Sequence, residues 1–282
     1  MTGFSADWLA LREPADHRAR NGDLAAALSA RFGQTTPLRV TDIGAGTGSN
    51  LRATAPLLGR EQHWTLVDYD PALLAEARRQ LRAWADDASE ADDGLRLTKD
   101  GRALHVRFRE ADLARAPEVI GAQTPHLVTA AAFFDLVSAD WIPRFADVVA
   151  QTGADFFTVL TCDGADDWQP PHPDDAAITA GFHADQARDK GFGPAAGNDA
   201  TALLAEAFGR LGYQARSAPS PWLLDGTSPA DAALIAALAA GTAGAAAESG
   251  TVSPNGADAW AQARRGARSC RIGHLDLLAT RG

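Results

Sequence analysis

Residues 40–50 read VTDIGAGTGSN, an apolar run of strand type that passes through Gly44, Gly46 and Gly48 into a segment of helical pattern. Three positions without a Cβ at a strand exit let a ligand lie directly against the backbone. The spacing is G-x-G-x-G, with Asp42 two residues ahead of the first glycine. A dinucleotide fingerprint would need G-x-G-x-x-G, and a phosphate-cradling Walker loop would need Gly-Lys-Ser/Thr; neither pattern is present here.

Outward from this stretch, short apolar runs alternate with helical segments. Strands are expected at 38–43, 63–68, 104–109, 126–130 and 156–162, with two more closing the sheet at 214–218 and 270–278. Between them, 49–58, 71–84, 139–151 and 202–210 read as helices; Pro71 suits a first helical turn, and Gly212 follows the last of them as a natural stop. Such alternation builds an α/β fold, a Rossmann-like, mostly parallel sheet of seven strands with helices on both faces. Residues 1–33 read as one or two helices forming an N-terminal cap, and 34–282 as the main domain. Two insertions interrupt it. Residues 164–198 are rich in Pro, Gly, Asp and His with little regular pattern, which predicts a lid, a binding loop or disorder, and 229–269 adds helices before the last strand.

The chain has 282 residues, enough for one large domain with its own core. With 26 Lys+Arg against 36 Asp+Glu the formal charge is −10, and no basic patch suits a phosphate backbone, so nucleic acid is not an expected partner. The two cysteines, Cys162 and Cys270, fall in strand-like runs and read as reduced core thiols; no metal-ligand spacing occurs. Asp7, Glu13 and Asp16 spoil a secretory leader, and the Ala-rich run 232–247 is broken by Gly241, Thr242 and Gly244, so a cytoplasmic protein without a membrane span is expected. The stretch 229–248 is a candidate surface for self-association as a homodimer, though nothing in the sequence compels it.

With Asp42, Gly44, Gly46 and Gly48 following a strand, and a second strand ending at Asp68 twenty residues after Gly48, the chain resembles the class I S-adenosylmethionine-dependent methyltransferases. The resemblance covers residues 38–162 and is diffuse beyond them. It implies that the loop Gly44-Ala45-Gly46 through Gly48 wraps the methionine end of S-adenosylmethionine, with Asp42 favouring the cationic amine. It implies that Asp68, with Tyr69 beside it, holds the ribose diol, leaving Asp70 to cap the helix that begins at Pro71. In READLARA, Asp112 would reach the adenine amino group and the Leu113 amide would meet the ring; in HLVTAAAFFDLVSADW, Ala130 would offer a carbonyl near the amine.

Ligands of open α/β sheets bind beyond the carboxyl ends of the strands, which directs attention to the loops after the fourth and fifth strands and to the insertion. The insertion gathers Trp168, His172, His183, Asp185, Gln186, Asp189 and Lys190, the last two also readable as a local ion pair. For methyl transfer to oxygen a base is useful, and imidazole is matched to neutral pH, so His183 is the first candidate catalytic residue, followed by Asp163 and Asp135. Histidines in polar loops are commonly surface residues, and positioning alone supplies much of the rate in such reactions. In the cap, Arg12, Asp16 or Arg18 could face inward, while Trp8, Leu9 and Leu11 pack; His274 reads as an interior histidine or a crevice imidazole. The expected activity is methylation of a small organic molecule, oxygen slightly ahead of nitrogen. The alternatives are an NAD(P)-dependent oxidoreductase and a non-catalytic cofactor-binding protein of the same fold.

Overall fold

The computed structural model describes residues 4–189 and 191–282; Lys190 and the first three residues of the cap lie outside the described residues. Its strands are β1 (Leu38–Ile43), β2 (Glu61–Asp68), β3 (Asp87–Ala91), β4 (Gly94–Lys99), β5 (Arg102–Glu110), β6 (Leu127–Ala131), β7 (Asp155–Gln169), β8 (Tyr213–Pro219), β9 (Trp222–Asp225) and β10 (Ser269–Arg281). Its α-helices are α1 (Ala6–Ala19), α2 (Gly22–Phe32), α3 (Ser49–Thr54), α4 (Pro71–Trp84), α5 (Trp141–Thr152), α6 (Asp175–Gln186), α7 (Ala200–Arg210), α8 (Pro229–Glu248) and α9 (Pro254–Arg264).

The strands form one sheet in the order β3-β4-β5-β2-β1-β6-β7-β10-β8, with β9 on β10. From β5 to β7 every neighbouring pair is parallel, and β10 runs antiparallel between β7 and β8. The expected seven strands are all present, but the sheet has ten. The additions are the β3–β4 hairpin on the β5 edge and the short β9, all antiparallel to their neighbours. Asp100-Gly101, with φ of 46° and 70°, is the two-residue turn that joins β4 to β5, and this dipeptide is the local signal for the added hairpin.

Local chemistry explains the element ends. Asp70 caps α4 by accepting from the Ala72 amide at 2.8 Å, Pro71 takes the first turn, and Leu73, Leu74, Ala77 and Leu81 form the buried face. Ser5 caps α1 and Asn21 caps α2, so the cap is two helices joined at a sharp corner. The two core clusters divide the packing. Leu38, Val40, Trp64, Leu66 and Leu81 belong to one, while Val67, Phe134, Phe145, Phe156 and Phe208 with α5 and α7 belong to the other.

The 164–198 insertion differs from the irregular lid expected of it. Its first residues continue β7, paired with β10 as far as Gln169↔Ser269, and its middle forms α6. The polar run GADDWQ lacks an apolar alternation, yet β10 supplies its backbone partners from a hundred residues downstream. Helix α8 is long and apolar enough to cross a membrane by length and composition. In the fold it lies against α6 and α9, and Leu234, Ile235, Ala239, Ala243 and Ala246 are buried. Asp175 in the first turn of α6 accepts from Trp260 Nε1 at 2.8 Å and from the buried Arg264 of α9, which clamps these helices together.

Candidate active site

The β1–α3 loop turns through left-handed backbone at Gly44 (φ 58°), Gly46 (φ 51°) and Gly48 (φ 76°), where a side chain would be strained. A Cβ at Gly44 would also meet the Phe133 ring at 2.5 Å. The loop is fixed from the neighbouring strand: Asp68 Oδ2 accepts from the Gly46 amide at 2.8 Å, and Oδ1 accepts from the Asp70 amide at 3.0 Å. Asp68 is buried, and burial raises its carboxyl pKa. Each carboxylate oxygen retains a second lone pair, the arrangement a vicinal diol requires.

Beneath the loop, Asp42 Oδ1 accepts from Asn50 Nδ2 at 2.7 Å, while Oδ2 is buried without a partner. Burial pushes this carboxyl up to about 7, against the opposing pull of Asn50 and of the Arg20 guanidinium. Arg20, half-buried, bonds Asn50 Oδ1 at 2.8 Å, so α1 and its corner are tied to the base of the loop. Helix α1 also covers the loop: a Cβ at Gly46 would come within 3.1 Å of Leu9 Cδ1.

The remaining residues expected at the cofactor surround this centre. Ala130 is paired with Ile43 across β1 and β6 and is fully buried. Tyr69 is largely exposed next to Asp68. The β5 exit joins the same rim, since the Ala111 amide donates to the Asp68 carbonyl at 2.9 Å. There Asp112 is exposed and caps its own turn through the Ala114 amide, and Leu113 is buried with its carbonyl accepting from Trp141 Nε1 at 3.0 Å. Ala45 closes the turn, donating to the Val67 carbonyl at 3.1 Å and accepting from Gly48 at 2.8 Å.

Adjacent to the loop, at the carboxyl ends of β6 and β7, lies a cavity of about 590 Å³ walled by α1, α6, α8, β9 and β10. Two of the three candidate catalytic residues line it. Asp135, in the turn after β6, is 7% exposed; Gln186 Nε2 donates to its Oδ2 at 3.3 Å, while Oδ1 is buried without a partner. Burial raises Asp135 to about 6, against the opposing pull of its own backbone amide, of the Arg12 charge and of the Cys162 amide. His183 lines the wall from α6, half-buried beside Phe182. Asp163 is not among the lining residues: it sits at a bulge in β7, accepts from the Ala165 amide, and its carboxylate packs against Gly273 of β10. The extra residues of that bulge turn its side chain away from the crevice.

Other lining groups converge from distant segments. Arg12 forms a buried two-bond pair with Asp16, at 2.9 and 3.1 Å, and stands 5.0 Å from the Trp222 ring, whose Nε1 donates to Asp16. His274 is on the lining as well as 6% exposed, so both readings of it hold; burial and then Arg12 push its pKa down to about 3. Its Nδ1 and Gln186 Oε1 are buried without partners. Cys162, paired with His274 across the strands, also faces the cavity, and burial raises its thiol to about 11. One signal for this wall is legible along the chain: Thr179, Phe182, His183 and Gln186 recur at helical spacing, which places them on one face of α6. Among the described residues, no group of three His, Cys, Asp or Glu side chains is gathered to hold a metal ion.

No protein-family model matches the chain, and no curated protein matches it. Solved structures do. The chain is similar to a cyclopropane synthase from Mycobacterium tuberculosis, with 12% identity over 98% of this chain and 95% of that one and a TM-score of 0.51. It is also similar to a cyclopropane-fatty-acyl-phospholipid synthase-like protein from Lactobacillus casei, with 16% identity over 98% and 94% of the two chains and a TM-score of 0.50. A looser likeness is to a SAM-dependent methyltransferase from Thiobacillus denitrificans in complex with S-adenosyl-L-homocysteine, 16% identical over 99% and 100% of the chains, TM-score 0.46. The chain shares the fold of the two synthases, a Rossmann-like, mostly parallel sheet covered by helices.

Proposed function

We propose that the chain is an S-adenosylmethionine-dependent methyltransferase acting on a small organic molecule held in the cavity at the ends of β6 and β7. The observation that carries this reading is the left-handed glycine loop bonded through Gly46 to the Asp68 carboxylate and covered by Phe133 and Leu9, whose chain neighbours Ala132 and Trp8 line that cavity. The residues present fit the cofactor. Asp42 Oδ2, a buried acceptor with no partner, suits a cationic amine, and Asp68 has lone pairs for two ribose hydroxyls. Asp112 and Leu113 stand at the rim where the adenine would lie, with Ala45, Tyr69 and Ala130 around the loop.

When bound, the sulfonium supplies an electrophilic methyl group. The protein's part is to hold the acceptor in line, exclude water beneath α1 and α6, and receive a proton. A hydroxyl must lose its proton as it is methylated, whereas a neutral amine attacks with its own lone pair. The buried Asp135 carboxyl in the cavity wall, raised by burial to about 6, is a group that can take this proton and therefore favours oxygen as the acceptor atom. His183 is placed to contact the acceptor. We assign Asp163 no part in the chemistry.

Calorimetric titration with S-adenosylhomocysteine and, separately, NADH tests the cofactor reading. Binding of the first and not the second is expected, and the reverse result would establish the oxidoreductase alternative instead.

A further inference from the structure

The accessible wall of the cavity names a class of acceptor, an inference that rests on the methyl-transfer reading. Gly44, Gly46, Gly48 and Asp68 are not among the lining residues, so the volume of about 590 Å³ lies on the acceptor side of the glycine loop. A cavity of about 150 Å³ already holds a benzene ring. The space here therefore takes a body of more than one ring.

The surface that this wall offers is chiefly apolar. Trp8 of α1, Leu136 after β6, Phe182 of α6, Leu238 of α8 and Ile272 of β10 line it, and each keeps part of its surface accessible. Coming from five elements, they can strip water from an apolar ligand on several sides. The Trp8 and Phe182 rings suit a flat partner, and a rigid ring system is ordered at less cost than an alkyl chain.

The charged groups of the wall are already engaged. Arg12, the one Arg or Lys among the described lining residues, spends two bonds on Asp16. Asp166 accepts from Trp168 Nε1 at 2.8 Å and from Thr179 Oγ1 at 3.0 and 3.1 Å, and Asp185 is paired with Arg188 at 3.0 Å. A ligand carboxylate, phosphate or ammonium would lose its water without gaining an unengaged counter-ion. His183 differs. It is half-buried in the wall and makes no hydrogen bond to a described residue, so its imidazole can bond a hydroxyl in either sense. It precedes Gln186 by one helical turn on the same face of α6, and Gln186 bonds Asp135. That connects this imidazole to the β6 exit, the segment whose Phe133 covers Gly44.

We propose that the acceptor is an uncharged molecule with an apolar body of two or three fused rings and one hydroxyl, the hydroxyl meeting His183.

The test is calorimetry with 2-naphthol, phenol, 1-octanol, 6-hydroxy-2-naphthoate and 6-aminomethyl-2-naphthol on wild type, Phe182→Ser, Leu238→Ser and His183→Ala, with S-adenosylhomocysteine titrated separately. 2-Naphthol is expected to bind wild type at least about tenfold more tightly than phenol and the two charged naphthols, and more tightly than 1-octanol. Each substitution is expected to weaken 2-naphthol by about three- to tenfold while S-adenosylhomocysteine affinity stays within about twofold of wild type. Equal or tighter binding of any of the other four compounds overturns the proposal. So does unaltered 2-naphthol affinity in both serine variants, or in His183→Ala. A chain that binds 2-naphthol with this selectivity but ignores S-adenosylhomocysteine refutes methyl transfer and supports the cavity assignment; the opposite pattern overturns the acceptor class alone.

Discussion

Replacing Asp68 by Asn perturbs the joint between the glycine loop and the cofactor while changing little in volume. In the wild type one carboxylate lone pair is taken by the Gly46 amide at 2.8 Å and another by the Asp70 amide at 3.0 Å, leaving one on each oxygen for the two ribose hydroxyls. An amide keeps two acceptor sites on its oxygen and presents donors on its nitrogen. With the oxygen placed to keep the Gly46 bond, the nitrogen faces the Asp70 amide, donor against donor, and one ribose hydroxyl loses its charged acceptor. A hydrogen bond to a charged group is worth about 1.5–3 kcal/mol, so cofactor affinity should fall roughly 10- to 150-fold. Calorimetry with S-adenosylhomocysteine measures this directly, with circular dichroism to show that the variant is folded. A folded Asp68→Asn protein whose dissociation constant stays within twofold of wild type would refute the assignment of Asp68 to the ribose.

Three further outcomes are expected. The folded-state pKa of Asp42, about 7, lies above its ordinary value of 3.8, so the folded chain holds the extra proton between those limits. This group's contribution to stability is therefore full below about pH 4 and lost as pH rises through 7. Urea unfolding at pH 5 and pH 8 should show a smaller loss for Asp42→Asn than for wild type; equal losses would mean that Asp42 does not titrate in this range. Asp175→Ala leaves the buried Arg264 guanidinium and Trp260 Nε1 without their shared acceptor and should destabilise the chain by about 2–3 kcal/mol, read by urea unfolding. A change below half of one kcal/mol would show that the clamp between α6 and α9 is dispensable. His183→Ala should lower turnover of a phenolic acceptor by about three- to tenfold, the worth of one neutral hydrogen bond, with S-adenosylhomocysteine affinity retained; full activity would return this histidine to a merely structural place in the wall.

The parts of the protein legible in the sequence are those whose causes lie within a few residues of one another. The strand and glycine turn at residues 40–50, the Asp70 cap with Pro71, and the limits of β1 and α4 depend on local backbone freedom and capping, and the structure has them where the residues placed them. The position of Asp68 at the end of β2 was legible for the same reason, since a strand end and the following cap fix it. The extension of β7 was not, because GADDWQ acquires strand geometry only from β10, and the antiparallel additions to the sheet depend likewise on partners across its edges.

The cavity belongs wholly to the tertiary structure. Arg12, Asp135, Gln186 and His274 come from α1, the turn after β6, α6 and β10, and nothing in their spacing along the chain announces that they meet. The bulge in β7 decides that Asp163 turns away while its neighbour Cys162 faces inward. Local rules set a loop because nearest neighbours fix its dihedrals. A pocket is set by which strands pair and in what register, and those choices are made only when the sheet is assembled.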